Sequence, residues 1–341
     1  MASGSEERRG AATIRDVARR AGVSATTVSR SLRGISYVAP ETGERIARAA
    51  AELDYAIPGY FPRPQLIAVV ARYPSQWFFA ESIATIERTL RGSGHDLVLY
   101  GVGDEEGRRN FLERIAASSS LDGIIIVATS FDETERAALD GLGVPVGVVG
   151  GYAPGLPRVG IDDENAMRMA TQHLLGLGHR EIGLISFAPG DTVGYDTTWT
   201  RRQGFTAAMG DASAPVPSQW IISRESTVRG GVRAAEELLT LSRLPTALVA
   251  MSDEMALGAL WTLRRAGIVV PDAMSIIGFD DNEMAIGSDL TTIHQPVHEQ
   301  AERATLGLLA RLRGDGDEDE DEDINLPTRL VVRGSTGPCR G

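Results

Sequence analysis

The sequence predicts a small all-α head followed by a larger α/β region made of two doubly wound, parallel-sheet lobes. Three observations predict it. Residues 13–57 read as three short helices over 14–21, 25–32 and 41–54. Residues 58–65, PGYFPRPQ, contain three prolines, and proline both fixes φ and removes a backbone donor, so this stretch is a linker. From Leu66 onwards, short apolar runs without period-two alternation take turns with amphipathic stretches, the pattern of strands covered on both faces by helices.

The runs are LIAVVA (66–71), DLVLYGV (96–102), DGIIIVA (122–128), VPVGVVG (144–150), EIGLISF (181–187), TALVAM (246–251) and MSIIGFD (274–280). Helical patterns such as 81–90 and 165–175 lie between them. So many strands exceed one comfortable open sheet, and two lobes are expected, with a ligand held in the crevice at the strands' carboxyl ends. Lobe one is expected over about 66–159 plus 291–323, and lobe two over about 160–290 plus 324–336. Residues 1–12 read as a disordered arm.

Composition excludes several classes. Hydrophobic residues make up 43% and charged residues 23%, a soluble globular balance. No apolar run approaches the roughly 18 residues of a membrane span, so no membrane partner is expected. The polar start MASGSEERRGAAT does not read as a secretory signal, and the single cysteine, Cys339, rules out a disulfide framework or a cysteine metal site within one chain. A cytoplasmic setting is expected. The net charge of −12 is unevenly spread. Residues 1–57 carry nine arginines against seven acids, while 315–323 carries eight acids. The basic excess therefore sits at the front, where a phosphate-binding surface is wanted. The tract GDGDEDEDED reads as a solvated low-complexity loop.

The head carries the sharpest motif, TIRDVARRAGVSATTVSRSL. Ile14, Val17 and Ala18 form an apolar i, i+3, i+4 stripe, Gly22 permits a tight turn, and Ser24 caps a second helix whose Val28 and Leu32 face inward. Outward positions are Ala25, Thr26, Thr27, Ser29 and Arg30, short polar side chains plus one arginine, which suit a helix lying in a major groove. No nucleophile elbow, phosphate loop or metal-spaced His/Asp set is present, so no enzyme, cofactor or metal is expected. His173 and His179 read as surface or cap residues, and His294 and His298 flank a strand-to-helix junction.

These motifs resemble the Lac repressor/purine repressor family of bacterial transcriptional regulators. The resemblance starts with TIRDVARRAGVSATTVSRSL, Val38, Thr42, Arg45 and Leu53-Asp54-Tyr55, and continues through LDGIIIVA, GHREIGLI, LPTALVAMSDEMALGAL, VPDAMSIIGFDD, LTTIHQP and LPTRLVVRGST. It implies lobes of the periplasmic-binding-protein type and a homodimer on a near-palindromic operator. A small molecule, expected to be a mono- or oligosaccharide, would be held between the lobes. Ala25, Thr26 and Arg30 would meet base edges and Thr27 and Ser29 phosphates, with Thr13, Ser24 and Arg33 completing the DNA-facing set. In the cleft, Arg201 in TRRQGF matches the arginine aimed at the ligand, and Asp280 at the end of SIIGFD would accept ligand hydroxyls. Asp253 reads equally as a ligand group or a helix cap. Phe78 and Phe79, after Trp77, offer a ring-stacking face, and Thr129 and Asp162 complete the expected effector set. Two departures stand out. The Pro-rich linker replaces the family's hinge helix, which puts the usual coupling of ligand to DNA in doubt. Ser226 stands where relatives often carry an aromatic, so that wall is either missing or supplied by Trp199. A periplasmic-type sugar-binding protein and an α/β sugar-processing enzyme are the rival readings.

Overall fold

The computed structural model describes residues 12–32, 38–53, 55, 65–103, 105–116, 121–131, 133–151, 153, 155–188, 197–315 and 323–340. The N-terminal arm through residue 11, Arg33, the linker positions 58–64 and residues 316–322 of the acidic tract lie outside them. Two units result, residues 1–64 and 65–341.

In the head, α1 (Ile14–Ala21), α2 (Ala25–Leu32) and α3 (Pro40–Glu52) enclose one small core. Thr13 starts α1 by donating its backbone N–H and hydroxyl to Asp16, at 2.9 and 2.6 Å. Gly22 ends it in the left-handed region, φ 69°, a conformation open to glycine without strain. Ser24 Oγ then accepts the Thr27 N–H at 3.0 Å and caps α2. Val17, Ala18, Ala21 and Val28 meet Ile46, Ala49 and Ala50 of α3 in the core, with Ile14 packed at its margin.

The second unit holds two six-stranded sheets. The first runs β11 (Asp323–Leu326), β5 (Arg158–Ile161), β4 (Val146–Val149), β3 (Leu121–Val127), β1 (Gln65–Ala71), β2 (His95–Gly101), with every pair parallel. The second runs β12 (Arg329–Val331), β10 (Thr291–His294), β9 (Ser275–Asp280), β8 (Ala247–Ala250), β6 (Ile182–Phe187), β7 (Ile221–Arg224), parallel except for the β10–β12 edge. The helices are α4 (Trp77–Gly92), α5 (Glu105–Ala116), α6 (Glu133–Asp140), α7 (Asp163–Gly176), α8 (Thr197–Asp211), α9 (Val228–Leu238), α10 (Asp253–Arg265), α11 (Glu283–Gly287) and α12 (Val297–Arg313). They cover both faces of each sheet, which is why the central strands are apolar on both sides.

The expected lobe boundaries need correction at the crossovers. Residues 291–294, assigned to lobe one, form β10 and pair with β9 in the second sheet, whereas 324–326, assigned to lobe two, pair in β11 with β5 of the first. The chain therefore changes lobes after β5, after β10 and again after β11. Of the short strands at these crossings, β10 and β11 carry polar residues and β5 has only Val159 and Ile161 as bulky apolar positions, so a hydrophobic run does not mark them.

Close helix packing in lobe two depends on glycine. A β-carbon on Gly231 of α9 would overlap the Met255 carbonyl of α10, and one on Gly258 of α10 would overlap that of Val228. The pair approaches backbone to backbone only because neither position carries a side chain.

Candidate functional site

On the head, Thr26 and Arg30 are exposed, one turn apart on α2, so both point to the same side of the helix. Thr27 and Ser29 are half-buried flanks. Ala25 leans on the head's own core, so it presents less outward surface than its place in the motif suggests. Thr13 and Ser24 are exposed and engaged as helix caps, and the side chain of Leu32 lies outside the described residues.

Between the two sheets of the second unit lies a cavity of about 350 Å³ at the carboxyl ends of the strands. Lobe one contributes Arg72, Tyr73 and Gln76 from the segment after β1, Phe78 and Phe79 from the first turn of α4, and Ser130 with Gly150 and Gly151 from the ends of β3 and β4. Gly150 is required at its position, because φ is 65° and a β-carbon would press on the Phe78 ring. Tyr73, Phe79 and Phe78 form an edge-to-face series with centroids 5.9 and 5.7 Å apart. Lobe two contributes Asp163, Phe187, Thr197, Thr198, Arg201, Ser226, Ser252, Glu254 and Asp280, and Gln295 comes from the crossover after β10.

Arg201 is fixed from three sides. Its Nε donates to Asp163 Oδ1 at 2.8 Å, a terminal nitrogen donates to the Met251 carbonyl, and the guanidinium lies 3.6 Å from the ring centroid of Phe279. The ionic partner is thus Asp163, one residue beyond the Asp162 expected in the cleft. Asp162 is exposed and serves as the N-cap of α7, accepting the Asn165 N–H at 2.9 Å.

Asp280 ends β9 with 5% exposure, and its Oδ1 accepts from Gln295 Nε2 at 2.6 Å. Burial pushes its carboxyl up to about 7, opposed first by the Arg201 charge and then by the Gln295 donor. The backbone there is strained, with φ 119° at Asp280 and 58° at Asp281. Asp253 holds that turn in place: Oδ2 accepts the Asn282 N–H at 2.9 Å and Oδ1 the Thr292 hydroxyl at 2.6 Å. It is fully buried and does not line the cavity, and the cap of α10 is Ser252. Asp253 is therefore neither ligand group nor cap, but the anchor of the turn that presents Asp280. Burial, with the Asp280 charge second, drives its carboxyl well above the ordinary range.

Thr129 likewise stays off the cavity surface, its hydroxyl donating to the Val127 carbonyl at 2.8 Å. Glu254, raised by burial and drawn back by the Trp77 backbone N–H from the opposite lobe, is a cleft residue that sequence reasoning missed. Phe187 is another. It faces the Arg201 guanidinium at 5.8 Å and supplies the lobe-two aromatic surface, whereas Trp199 is half exposed and off the cavity.

His173 and His179 are structural. His179 is buried, with Nδ1 at 2.8 Å from Thr246 Oγ1 and Nε2 at 3.1 Å from the Gly337 carbonyl. His173 Nε2 is 2.9 Å from Thr336 Oγ1. They bolt the last residues to lobe two, which corrects the surface-or-cap reading for the buried His179, while His173 sits half-buried in the last turn of α7. Among the described residues no group of three or more His, Cys, Asp and Glu could hold a metal, and no helix is long and apolar enough to cross a membrane.

A two-lobed, cleft-bearing domain behind a helix-turn-helix head defines a ligand-responsive DNA-binding regulator. Comparison with known proteins agrees: residues 13–57 match the family described as "Bacterial regulatory proteins, lacI family", and 171–336 match a periplasmic binding protein-like domain. The HTH-type transcriptional repressor PurR of Haemophilus influenzae (strain PittEE) is 32% identical over 336 residues, 95% of this chain and 98% of that one. The transcriptional regulator CelR in complex with cellobiose aligns with TM-score 0.69 and 29% identity over 95% of this chain and 99% of its own. The lac repressor dimer bound to operator and the anti-inducer ONPF aligns with TM-score 0.71 and 25% identity over 96% and 99%. The chain belongs to the lacI family: it is a helix-turn-helix transcriptional repressor with an effector-binding domain, and not an enzyme.

Proposed function

We propose that this repressor acts in the cytoplasm as a homodimer on a near-palindromic operator, and that a sugar in the cleft shifts its operator affinity. The observation that carries the sugar reading is the composition of the cavity wall. A buried carboxylate, Asp280, stands beside an amide, Gln295, with the hydroxyls of Thr197, Thr198, Ser226 and Ser252 nearby and the ring faces of Phe78, Phe79 and Phe187 around them. Polar groups that accept and donate in alternation, set among aromatic surfaces, suit a ring that is polar at its rim and apolar on its faces. Relatives solved with cellobiose and with ribose support the class. Within the cleft, Asp280 and Gln295 would take ligand hydroxyls, Arg201 would donate, and Phe78 would stack.

On DNA, Arg30 and Thr26 would read base edges, with Ala25 close behind them and Thr27, Ser29, Thr13 and Ser24 against phosphates. The paired heads of a dimer would occupy successive major grooves on one face of the duplex. A thermal-shift screen with mono- and oligosaccharides, sugar phosphates and nucleobases tests the ligand class, since a ligand of the folded state raises Tm. A sugar is expected to give the largest shift. A nucleobase doing so, with sugars inert, would overturn the reading. Sedimentation at micromolar protein tests the dimer.

A further inference from the structure

Gln300 is fully buried in the first turn of α12 among Val297, Ala301, Ala304 and Leu308, and the other buried polar side chain of the helix, Thr305, is satisfied locally by the Ala301 carbonyl. A polar amide has no place there unless its hydrogen bonds matter. Its Nε2 donates to Gln295 Oε1 at 3.1 Å, and Gln295 Nε2 donates in turn to Asp280 Oδ1 at 2.6 Å. Gln300 Oε1 itself is buried without a hydrogen-bond partner among the described residues. Helix α12 packs on α4 and on the sheet of lobe one, while Asp280 ends a strand of lobe two. The three side chains form a polar relay across the crossover between the lobes.

The direction of this relay follows from the two ends of an amide, one donor and one acceptor. Left alone, Gln295 could present either end to Asp280: its nitrogen to the carboxylate, or its oxygen to the protonated acid. Gln300 donates to Gln295 Oε1, and reversing Gln300 as well would leave both hydrogens of its buried nitrogen unbonded, so the Gln295 oxygen stays engaged and its nitrogen faces Asp280. The orphaned Gln300 Oε1 is the cost of this arrangement. An apolar residue would fill the same space and leave no orphan, but it would release Gln295.

We propose that Gln300 is a positioning residue: by engaging Gln295 Oε1 it fixes Gln295 with its nitrogen toward Asp280, and so keeps the carboxylate of the cleft an acceptor for donor groups of the ligand. This rests on the reading of the cleft as the effector site, and it adds a residue that does not line the cavity. The charged and titratable groups that act on Asp280 are Arg201 from α8, Asp163 from α7, and Glu254 and Asp253 from α10. All are left in place by a change at Gln300.

The test is the titration of Asp280 in the full-length protein, followed by carbonyl-carbon NMR of 13C-labelled aspartate, with Asp280→Asn assigning the signal. In Gln300→Leu and Gln300→Met, which conserve volume, the Asp280 midpoint is expected to rise by about half a pH unit or more, because Gln295 can then turn its oxygen to the protonated acid. In Gln300→Glu the rise is expected to be larger, since a carboxylate at 300 pulls the Gln295 nitrogen away from Asp280. Three variants guard against one failing to fold, and near-ultraviolet circular dichroism checks each. An unchanged midpoint in the folded variants overturns the proposal, as a space-filling role predicts no shift. The titration needs no ligand, so it is decided separately from the effector reading. That reading stands or falls on whether a sugar, ribose and cellobiose among those screened, raises the Tm of the wild type.

Discussion

Arg201 and Asp163 form a buried ion pair, Nε to Oδ1 at 2.8 Å, with side chains only 6% and 10% exposed. Removing one partner of such a pair leaves the other charge in a low-dielectric site, which costs more than the pair contributes. Arg201→Ala is therefore expected to destabilise the effector unit by about 3–5 kcal/mol and to abolish ligand binding. The double variant Arg201→Ala, Asp163→Ala should recover much of the stability and none of the binding. Urea denaturation and calorimetric titration separate the two effects. Ligand affinity retained in Arg201→Ala would place the site elsewhere.

Gly278 faces Asp253 in the same unit. A β-carbon there would fall on Asp253 Oδ1, the atom that accepts the Thr292 hydroxyl. Gly278→Ala should displace Asp253, loosen the turn at 280–281, and cost about 1–3 kcal/mol from overpacking. Because that turn aims Asp280, sugar affinity should fall as well, although neither Gly278 nor Asp253 borders the cavity. Unfolding midpoints and ligand titrations of Gly278→Ala check this, with Gly92→Ala, at an open surface position, as the control.

How much of this was legible in the sequence follows from what each residue depends on. The runs that become β1, β3, β4, β6, β8 and β9 are readable because strands covered on both faces must be apolar throughout, and β2, an edge strand with no fully buried residue, is readable from its LVLY run alone. IISR, TTIH, DINL and RLV, which form β7, β10, β11 and β12, are three or four residues long and mostly polar or at sheet edges, and RVGI, which forms the buried β5, offers only two bulky apolar residues, so no local pattern marks them. The lobe boundaries depended on those strands. In the cleft, Arg201 and Asp280 sit in strong motifs, and Phe78 and Phe79 follow directly on a readable strand. Asp162 and Asp163 are adjacent acids at a helix start, and spacing does not tell the solvent-facing cap from the inward partner. Glu254, Phe187 and Gln295 meet only because three distant segments converge, and pairwise convergence leaves no trace in one sequence.

Asp280 sets a pH dependence. Its carboxyl titrates at about 7 in the fold, against about 3.9 in an unfolded chain. Between these values the folded state keeps a proton that the unfolded state has released, so stability falls as pH rises through the window and levels off above it. Asp253, shifted the same way, adds to the slope. His173 and His179, lowered mainly by burial, act oppositely, and their contribution is lost as pH falls below about 6.5. Asp280→Asn should flatten the decline towards neutrality in denaturation series run from pH 5 to 8. Sugar affinity in the wild type should climb through pH 7 as the carboxylate acceptor forms, and it should lose that dependence in the variant.

Arg30 is the long side chain on the exposed face of α2, one turn beyond Thr26. An arginine lying in the major groove can donate two hydrogen bonds to guanine O6 and N7, and such a pair discriminates by about 1–3 kcal/mol. An arginine on a phosphate does not discriminate at all, and its loss weakens every sequence alike while reducing the salt slope. The two roles therefore separate in one experiment. Arg30→Ala is expected to weaken binding to the specific operator by about 1–3 kcal/mol, to leave scrambled DNA almost untouched, and to relax preference at one base position in each half-site. Thr26→Ala should act in the same direction with smaller size, because a hydroxyl offers one contact where the guanidinium offers two. Fluorescence titrations on both DNAs at two salt concentrations measure this. Equal losses on operator and scrambled duplex would move Arg30 to the backbone and leave Thr26 and its neighbours to carry the readout.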